Sequence, residues 1–509
     1  MSGSTIAPEP IPGADPGLYN ADLAPTPAAG RTWRWTSIAA LWVGMVVCVP
    51  TYTLAASLIN QGMSWWQAVL AVMLGNVIVL IPMALVGHAG TKHGVPFPVL
   101  LRASFGTAGA NIPSLLRGLV ACGWFGIQTW IGGAAIYVML GVVTQGHVGA
   151  ETVKVMLPGE QALMLDVVLP ILHINAWELA SFLAFWALHV FFIAKGTESI
   201  RWLETYAAPF LIAMGLALLG WAWVKAGGFG NMLSAPSQFA EGGPKAGQFW
   251  AVFLPNLTAM VGFWATMALN IPDFTRYCAT QRDQILGQAV GLPPTMALFA
   301  FIGVAVTSST VIIYGEAIWD PVALLSRMGG WVVVVALFVL AVATITTNLA
   351  ANVVAPANGF SNLAPRKISF KMGGYITAGL GIAMFPWKIL SSTEGYIFTW
   401  LVGYSALLGP IAGILIADYF LVRRTEMNVA DLFRKGGRYH YAGGFNPKAL
   451  IALFLGVAPN VPGFLKAGGF VSEVPEVFTV LYTYAWFVGF LVAGGVHFLL
   501  MGRKSAAEA

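Results

Sequence analysis

The chain has 509 residues, of which 58% are hydrophobic and only 9% are Asp, Glu, Lys or Arg, and its mean hydropathy is +0.75. A soluble domain usually carries about 25% charged residues, so this composition argues against a water-soluble globule and indicates a protein whose solvent is the lipid bilayer. The formal net charge of +5 is small for this length, and no basic run is interleaved with aromatic residues, which argues against a nucleic-acid partner.

The chain begins with a segment that lacks long apolar runs. Residues 1–30 are rich in Pro, Gly and Ala, and they lack the basic start and short apolar core of a signal peptide. We predict that residues 1–30 form a disordered cytoplasmic tail and that residues 501–509 form a second cytoplasmic tail. Residues 31–500 between the tails are predicted to form a single domain.

The region between the tails contains about twelve apolar segments of roughly 20 residues, each long enough to cross a bilayer as a helix. The predicted segments 1 to 12 are 37–60, 66–89, 108–143, 168–194, 205–225, 248–270, 288–313, 331–355, 372–390, 395–421, 447–465 and 477–500. The sequence therefore predicts an all-α polytopic membrane protein.

The basic residues favour an arrangement in which both ends are cytoplasmic. If the N-terminus is inside, about 19 of the 26 Lys and Arg fall in inside loops, and about six fall outside. A wrong number of segments would remove this bias. We therefore expect an even number of spans in the inner or plasma membrane of the cell.

Glycine and proline weaken two of the predicted helices at matching places. Segment 1 reads ALWVGMVVCVPTYTLAASLI, with Gly44 and Pro50 on either side of its middle, and segment 6 contains Pro255 and Gly262, with Pro272 at its end. If segments 1–5 and 6–10 are repeats, these two segments correspond, and weakened helices at corresponding positions indicate a transporter binding site. Gly and Pro are, however, also common in membrane helices that bind nothing.

Segment 8 contains the polar stretch ATITTNLAAN at 343–352. At about 100° per residue, Ala343, Thr346 and Thr347 share one helix face, and their oxygens suit a cation site completed by unwound backbone of segment 1. Asn348 and Asn352 share another face, where amides can bind a polar heterocycle. The alternative is that these side chains only join helices by hydrogen bonds.

Aromatic residues in segments 3 and 6 suggest a site for a flat ligand. In ACGWFGIQTW, Trp124 and Gln128 are four residues apart and share a helix face, so a ring and an amide lie one turn apart. Phe263 and Trp264 follow Gly262 and can supply a second aromatic wall. The alternative is that these rings pack in the core or at the membrane interface.

The sequence lacks the motifs of other function classes. Cys48, Cys122 and Cys278 have no CxxC spacing, and the seven histidines have no metal-ligand spacing. We find no nucleophile–base pair, P-loop or cofactor motif, so neither catalysis nor ATP-driven transport is supported. We expect no cofactor and no enzymatic activity.

Longer motifs resemble those of the nucleobase–cation symporter-1 family, which includes permeases for hydantoins, allantoin, uracil and cytosine. They are HGVPFPVLLRASFG (93–106), GWFGIQTW (123–130), LNIPDFTRY (269–277), ATITTNLAANVVAPAN (343–358) and LGPIAGILIADYFLVRR (408–424). The similarity covers residues 30–440 approximately.

This resemblance implies a LeuT-type fold for the transporter domain 31–500. Two inverted repeats of five helices would cover residues 37–225 and 248–421, and two additional C-terminal helices would cover residues 447–500. The family also implies that Trp124 and Trp264 sandwich the substrate ring.

The family's amide ligands fall on Gln128 and Asn352, which would hydrogen-bond the amide edge of the substrate. A backbone contact of the hydantoin carriers falls on Phe263, where they have Gly. A Gln in segment 1 of the hydantoin carriers matches Cys48 in this sequence. These two departures reshape the pocket relative to a hydantoin carrier.

The resemblance also implies a sodium site. The carbonyl ligands of the family match Gly44, Val47 and Ala343, and its two hydroxyl ligands match Thr346 and Thr347, so both hydroxyls are present here. Other relatives are coupled to protons.

We therefore expect a secondary active symporter that imports a planar amide heterocycle of the uracil, allantoin or hydantoin class together with a cation, sodium by preference. The alternatives are a proton-coupled permease of the same class and an uncoupled facilitator or channel. We expect the chain to act as a monomer in the bilayer.

Overall fold

The structure of the protein is a computed structural model, and it describes residues 11–145, 174, 176–195, 197–328, 331–390 and 399–502. Within these residues the chain is helical, and extended pairing is limited to two isolated β-bridges. The prediction of an all-α protein is confirmed for this part of the chain. Residues 1–10, 168–173, 395–398 and 503–509, which belong to predicted tails or segments, lie outside the described residues.

The described ranges contain seventeen α-helices of seven residues or more, numbered in chain order. They are α1 Trp35–Val46, α2 Val49–Asn60, α3 Trp65–His93, α4 Phe97–Phe105, α5 Asn111–Gln145, α6 Ala176–Lys195, α7 Thr197–Lys225, α8 Phe249–Asn270, α9 Gln281–Tyr314, α10 Pro321–Met328, α11 Trp331–Leu363, α12 Phe370–Ala383, α13 Val402–Ile416, α14 Pro447–Val457, α15 Val461–Ala467, α16 Glu476–Thr483 and α17 Ala485–Met501.

Eight helical spans in the described part of the chain are long and apolar enough to cross a membrane, and two bent helix pairs raise this number to ten. The predicted segment 372–390 corresponds to α12, which has only 14 residues. At about 1.5 Å per residue, such a helix is shorter than the roughly 30 Å hydrocarbon core. The polytopic class is confirmed, whereas the number of twelve spans is not.

Residues 11–30, here called the N-terminal segment, pack onto the helical body. The Asp15 N–H donates to Phe433 O at 2.8 Å, and Asn20 Nδ2 donates to Ser361 Oγ at 2.7 Å. The prediction of a disordered tail is therefore wrong for residues 11–30. Composition alone could not reveal this docking, because the surfaces that bind the segment come from remote parts of the chain.

The helices pack around a central pair, α5 and α11, which make the most extensive helix–helix contact among the described residues. Helix α1 packs on α9, α3 packs on α8 and α9, and α13 packs on α17. Helix α13 continues as a π-helical stretch, Ala417–Val422. This arrangement places α1, α5, α8 and α11, which carry the predicted site residues, around one buried region.

The two helices predicted to be weakened differ in the structure. Segment 1 is interrupted between α1 and α2, and the chain bends by 59° there. Segment 6 is the continuous helix α8, which runs past both Pro255 and Gly262. A Cβ atom at Gly262 would collide with Ser405 Oγ of α13 and lie 3.1 Å from Leu401 O. Gly262 therefore permits close packing of α8 on α13 and does not interrupt the helix.

Candidate functional site

The break between α1 and α2 changes the hydrogen bonding of the backbone. Val47 and Cys48 leave the helical conformation, with φ/ψ of −75°/74° and −142°/161°. In a helix the Cys48 N–H would donate to the carbonyl of Gly44, but here it donates to Val46 O at 2.8 Å. The Gly44 carbonyl is thereby released from the helix, and it accepts a hydrogen bond from Thr347 Oγ1 at 3.3 Å.

The five residues predicted as cation ligands lie at this break and on α11. Thr346 and Thr347 are buried, and Thr346 Oγ1 donates to Ala343 O at 2.7 Å. Val47 and Ala343 belong to one buried cluster, and Gly44 is joined to α11 by Thr347. Uncharged hydroxyl and carbonyl oxygens suit a hard cation such as sodium. The role of these residues as ligands stays a prediction.

Six of the seven residues predicted to bind substrate line one small cavity. They are Cys48, Trp124, Gln128, Phe263, Trp264 and Asn352. The cavity also has lining residues that sequence reasoning did not identify as substrate contacts, namely Met45, Thr266, Met267, Thr347 and Ala351. Because Thr347 also contacts the Gly44 carbonyl, its side chain connects the cavity wall to another predicted cation ligand.

Aromatic rings form two walls of the cavity. Phe263 contacts both indoles edge-on, with ring centroids 5.3 Å from Trp124 of α5 and 5.0 Å from Trp264 of α8. Trp42 of α1 packs edge-on against Trp264 at 5.1 Å, and Trp264 Nε1 donates to Met296 Sδ at 3.4 Å. These contacts fix the Trp264 ring, as a rigid wall for a flat ligand requires.

Two amides face the same cavity, one from α5 and one from α11. Gln128 Oε1 is buried and has no hydrogen-bond partner among the described residues. Asn352 uses its Nδ2 to donate to Asn348 Oδ1 at 2.9 Å. A buried amide oxygen without a partner is costly, and its position in the cavity wall suits the recognition of a polar ligand.

Asn348 does not lie where the sequence predicted. It is absent from the lining of the cavity, and its Nδ2 contacts Phe125 O at 3.0 Å and His189 Nε2 at 3.1 Å. The prediction that Asn348 contacts substrate is therefore wrong for this conformation. Its spacing from Asn352 correctly placed both amides on one face of α11, but the neighbouring helices enclose the first amide.

Arg117 on α5 is a buried cation that sequence reasoning did not assign to the site. Its Nε donates to Thr266 O at 2.9 Å, and Nε and Nη2 donate to Asn270 Oδ1 at 3.0 and 2.8 Å. Arg117 thus joins α5 to the C-terminal end of α8, beside the cavity-lining Thr266. The available signal was its position seven residues before Trp124, which places both residues on one helix face.

Asp273 lies just after the C-terminal end of α8 and forms a hydrogen bond with a second helix, α4. Its Oδ1 accepts a hydrogen bond from the Phe97 N–H at the start of α4, at 3.0 Å. Burial raises the pKa of Asp273 to about 6, although the Phe97 amide and the charges of Arg276 and Arg117 favour the carboxylate. Asp273 therefore connects the end of α8 to the start of α4.

The chain matches known transporters along most of its length. Residues 25–489 match the sequence profile of a family described as permease for cytosine/purines, uracil, thiamine, allantoin. The chain is 46% identical to the purine-uracil permease NCS1 of Arabidopsis thaliana, over 96% of this chain and 78% of that protein. It is 40% identical to the allantoin permease of Bacillus subtilis (strain 168), over 95% of this chain and 93% of that protein.

A solved structure has the same fold. The chain superimposes with a TM-score of 0.74 and 25% identity on Mhp1, a nucleobase-cation-symport-1 family transporter in a closed conformation with bromovinylhydantoin bound. The match covers 96% of this chain and 98% of that one. The predicted LeuT-type fold class is confirmed by this match.

Proposed function

The chain belongs to the nucleobase–cation symporter-1 family of membrane transporters, and on that premise we propose that it imports a planar amide heterocycle together with a cation. The substrate class proposed is that of uracil, allantoin and the hydantoins. The observation that carries this proposal is the cavity where Trp124, Gln128, Trp264 and Asn352 converge from three helices. Two indoles suit a flat ring, and two amides suit its polar edge.

Sodium is the coupling ion that we propose. The support is the set of oxygens at the α1–α2 break, where Thr347 contacts the released Gly44 carbonyl and Thr346 contacts Ala343 O. A cation bound there would fix the break relative to α11. Because Thr347 also lines the cavity, cation and heterocycle would favour the same arrangement of α1 and α11, and each would tighten the binding of the other.

Proton coupling is a second candidate, and the observation that favours it is Asp273. A buried carboxyl with a pKa of about 6 can take up a proton on one side of the membrane and release it on the other. If protons drive transport through Asp273, uptake should rise as the pH falls through about 6, and Asp273→Asn should remove this dependence. An unchanged pH profile in Asp273→Asn would eliminate Asp273 as the coupling group.

The experiment that tests the proposal is tryptophan fluorescence quenching of the purified protein. Uracil, allantoin, hydantoins, cytosine and purines would be titrated in sodium and in potassium buffers. We expect one class of heterocycle to bind, and to bind more tightly in sodium. Equal affinity in potassium would contradict sodium coupling, and absence of binding by the whole panel would contradict the substrate class.

The remaining features of the proposed transporter concern its arrangement in the membrane. We propose that both termini are cytoplasmic, on the basis of the Lys and Arg distribution, and that the chain acts as a monomer. We also propose repeats at 37–225 and 248–421, followed by the additional helices at 447–500. Proteolysis of sealed vesicles of known orientation tests the placement of the termini.

A further inference from the structure

A buried histidine lies behind the cavity and does not line it. His189 of α6 is completely buried. Its Nδ1 lies 3.0 Å from Phe185 O, and its Nε2 lies 3.1 Å from Asn348 Nδ2. Among the described residues, these contacts connect the ring to a carbonyl on its own helix and to an amide on α11.

The two contacts determine which ring nitrogen carries the proton. A backbone carbonyl only accepts hydrogen bonds, so His189 Nδ1 is the nitrogen that donates, to Phe185 O. In the neutral ring Nε2 then has a free lone pair and accepts. The group that faces this lone pair must donate, which requires the NH₂ end of the Asn348 amide at that position.

A second acceptor fixes the same orientation of Asn348. Its Nδ2 also lies 3.0 Å from Phe125 O and 3.3 Å from Thr129 Oγ1, and the Phe125 carbonyl can only accept. With the NH₂ end turned toward α5 and α6, the oxygen of Asn348 faces Asn352. Asn352 must therefore present its own NH₂ end to Asn348 Oδ1, at 2.9 Å.

Asn352, the last residue of the series His189, Asn348 and Asn352, lines the cavity. Because Asn352 donates through Nδ2 to Asn348, its Oδ1 is the atom left to the cavity. Gln128 on the opposite helix has no comparable constraint, since the described residues make no hydrogen bond with its Oε1. The cavity thus combines one amide of fixed orientation with one amide that can turn to suit its ligand.

We propose that Asn348, oriented jointly by His189 and the Phe125 carbonyl, is a positioning residue that fixes Asn352 as a hydrogen-bond acceptor, so that the transporter requires a substrate N–H at this edge. This inference rests on the proposed function and refines its substrate class. The Gln128 amide, which can turn, binds either an N–H or a carbonyl of the substrate. A ring amide, with its N–H beside its C=O, satisfies both positions.

Pairs of ligands that differ by one blocked N–H provide the test. Uracil is compared with 1-methyluracil and 3-methyluracil, and hydantoin with its 1-methyl and 3-methyl analogues, by fluorescence quenching of the full-length protein. For the N–H that faces Asn352, we expect methylation to weaken binding to the wild type by about tenfold or more, because a buried hydrogen bond is lost.

The discrimination ratio between parent and methylated ligand is then measured in variants of the positioning residues. Asn348→Leu removes the acceptor for Asn352, whereas His189→Met removes one acceptor for Asn348 and leaves Phe125 O and Thr129 Oγ1. We expect Asn348→Leu to weaken the parent ligand and leave the methylated one nearly unchanged, so that the ratio falls about tenfold, and His189→Met to lower the ratio by about threefold. His189→Gln retains an acceptor and a donor, and its ratio should equal that of wild type.

Two controls separate positioning from general damage. His497 of α17 is also completely buried, and His497→Met should leave the discrimination ratio unchanged. If His189→Met does not fold, Asn348→Leu still tests the proposal. The positioning role alone is overturned if the folded variants keep the wild-type discrimination ratio, or if they bind the parent and the methylated ligand more weakly by the same factor. Failure of all parent heterocycles to bind the wild type overturns the proposed function, and this inference with it.

Discussion

The interrupted span α1–α2 and the continuous helix α8 contain similar helix-breaking residues and adopt different structures. In α1, an added Cβ at Gly44 would meet no atom within 4 Å, so packing does not require this glycine. In α8, Gly262 is required where Ser405 of α13 approaches. A glycine in such a segment therefore has two possible meanings. It marks a weakened helix where no neighbour approaches it, and close packing where a neighbouring helix does.

The two regions also contribute different chemistry to the site. The interruption exposes backbone oxygens, because the Cys48 N–H no longer pairs with the Gly44 carbonyl. The continuous helix has no such break in the cavity wall and contributes side chains, above all Phe263 and Trp264. A cation needs oxygens and a flat ring needs a rigid aromatic surface, so the difference in backbone structure corresponds to a difference in ligand.

Removing the aromatic wall of α8 should have the largest effect. Trp264→Ala deletes the indole on which we propose the heterocycle stacks, and stacking of a base on an aromatic ring is worth about 1–3 kcal/mol. By calorimetry we expect affinity for the heterocycle that binds the wild type to fall about tenfold or more. Trp264→Phe should cause a smaller loss. Wild-type affinity in a folded Trp264→Ala protein would show that the continuous helix does not supply the wall.

Adding one methyl group to each of the two glycines should have unequal effects on stability. Gly262→Ala introduces a Cβ that collides with Ser405 Oγ, and overpacking of this kind costs about 1–3 kcal/mol. Gly44→Ala finds open space and should change stability by less than about 1 kcal/mol. Thermal unfolding in detergent measures both variants, and equal melting temperatures would contradict the distinction between the two glycines.

Removing one hydroxyl at the interruption should reduce the effect of sodium. Thr347→Val deletes the Oγ1 that contacts the Gly44 carbonyl, and a hydrogen bond or ligand of this kind contributes about 1 kcal/mol. We expect the sodium-induced gain in heterocycle affinity to fall severalfold. Thr266→Val makes the same change on α8, in the wall of the same cavity, and should preserve the sodium effect. A sodium effect that survives Thr347→Val would place the ion elsewhere.

The smallest effect is expected at the thiol of the interruption. Cys48 Sγ makes one weak contact with Thr51 Oγ1 at 3.3 Å, so Cys48→Ala should change the free energy of unfolding by less than about 1 kcal/mol. Because Cys48 lines the cavity, a bound heterocycle should slow its alkylation by a small maleimide. Mass spectrometry distinguishes Cys48 from Cys122 and Cys278, and alkylation at an unchanged rate would contradict its position in the cavity wall.

Hydropathy predicted the all-α membrane class and helix spacing predicted several cavity residues, whereas the LeuT-type fold and the place of Cys48 came from the family resemblance. Trp124 and Gln128 lie four residues apart on α5, and this spacing places both in the cavity wall. The enclosure of Asn348 was not predictable, because it depends on His189 of α6, a distant part of the sequence. The packing role of Gly262 was not predictable either, because it depends on the approach of Ser405 of α13.

The docking of the N-terminal segment has a consequence for the synthesis of the chain. Asp15 N–H binds Phe433 O, and Arg434 Nη2 binds Pro12 O at 2.7 Å. Because chains emerge from the ribosome N-terminus first, residues 12 and 15 must remain unbound until residues 433 and 434 have been made. A segment that is made early is therefore among the last to reach its final place.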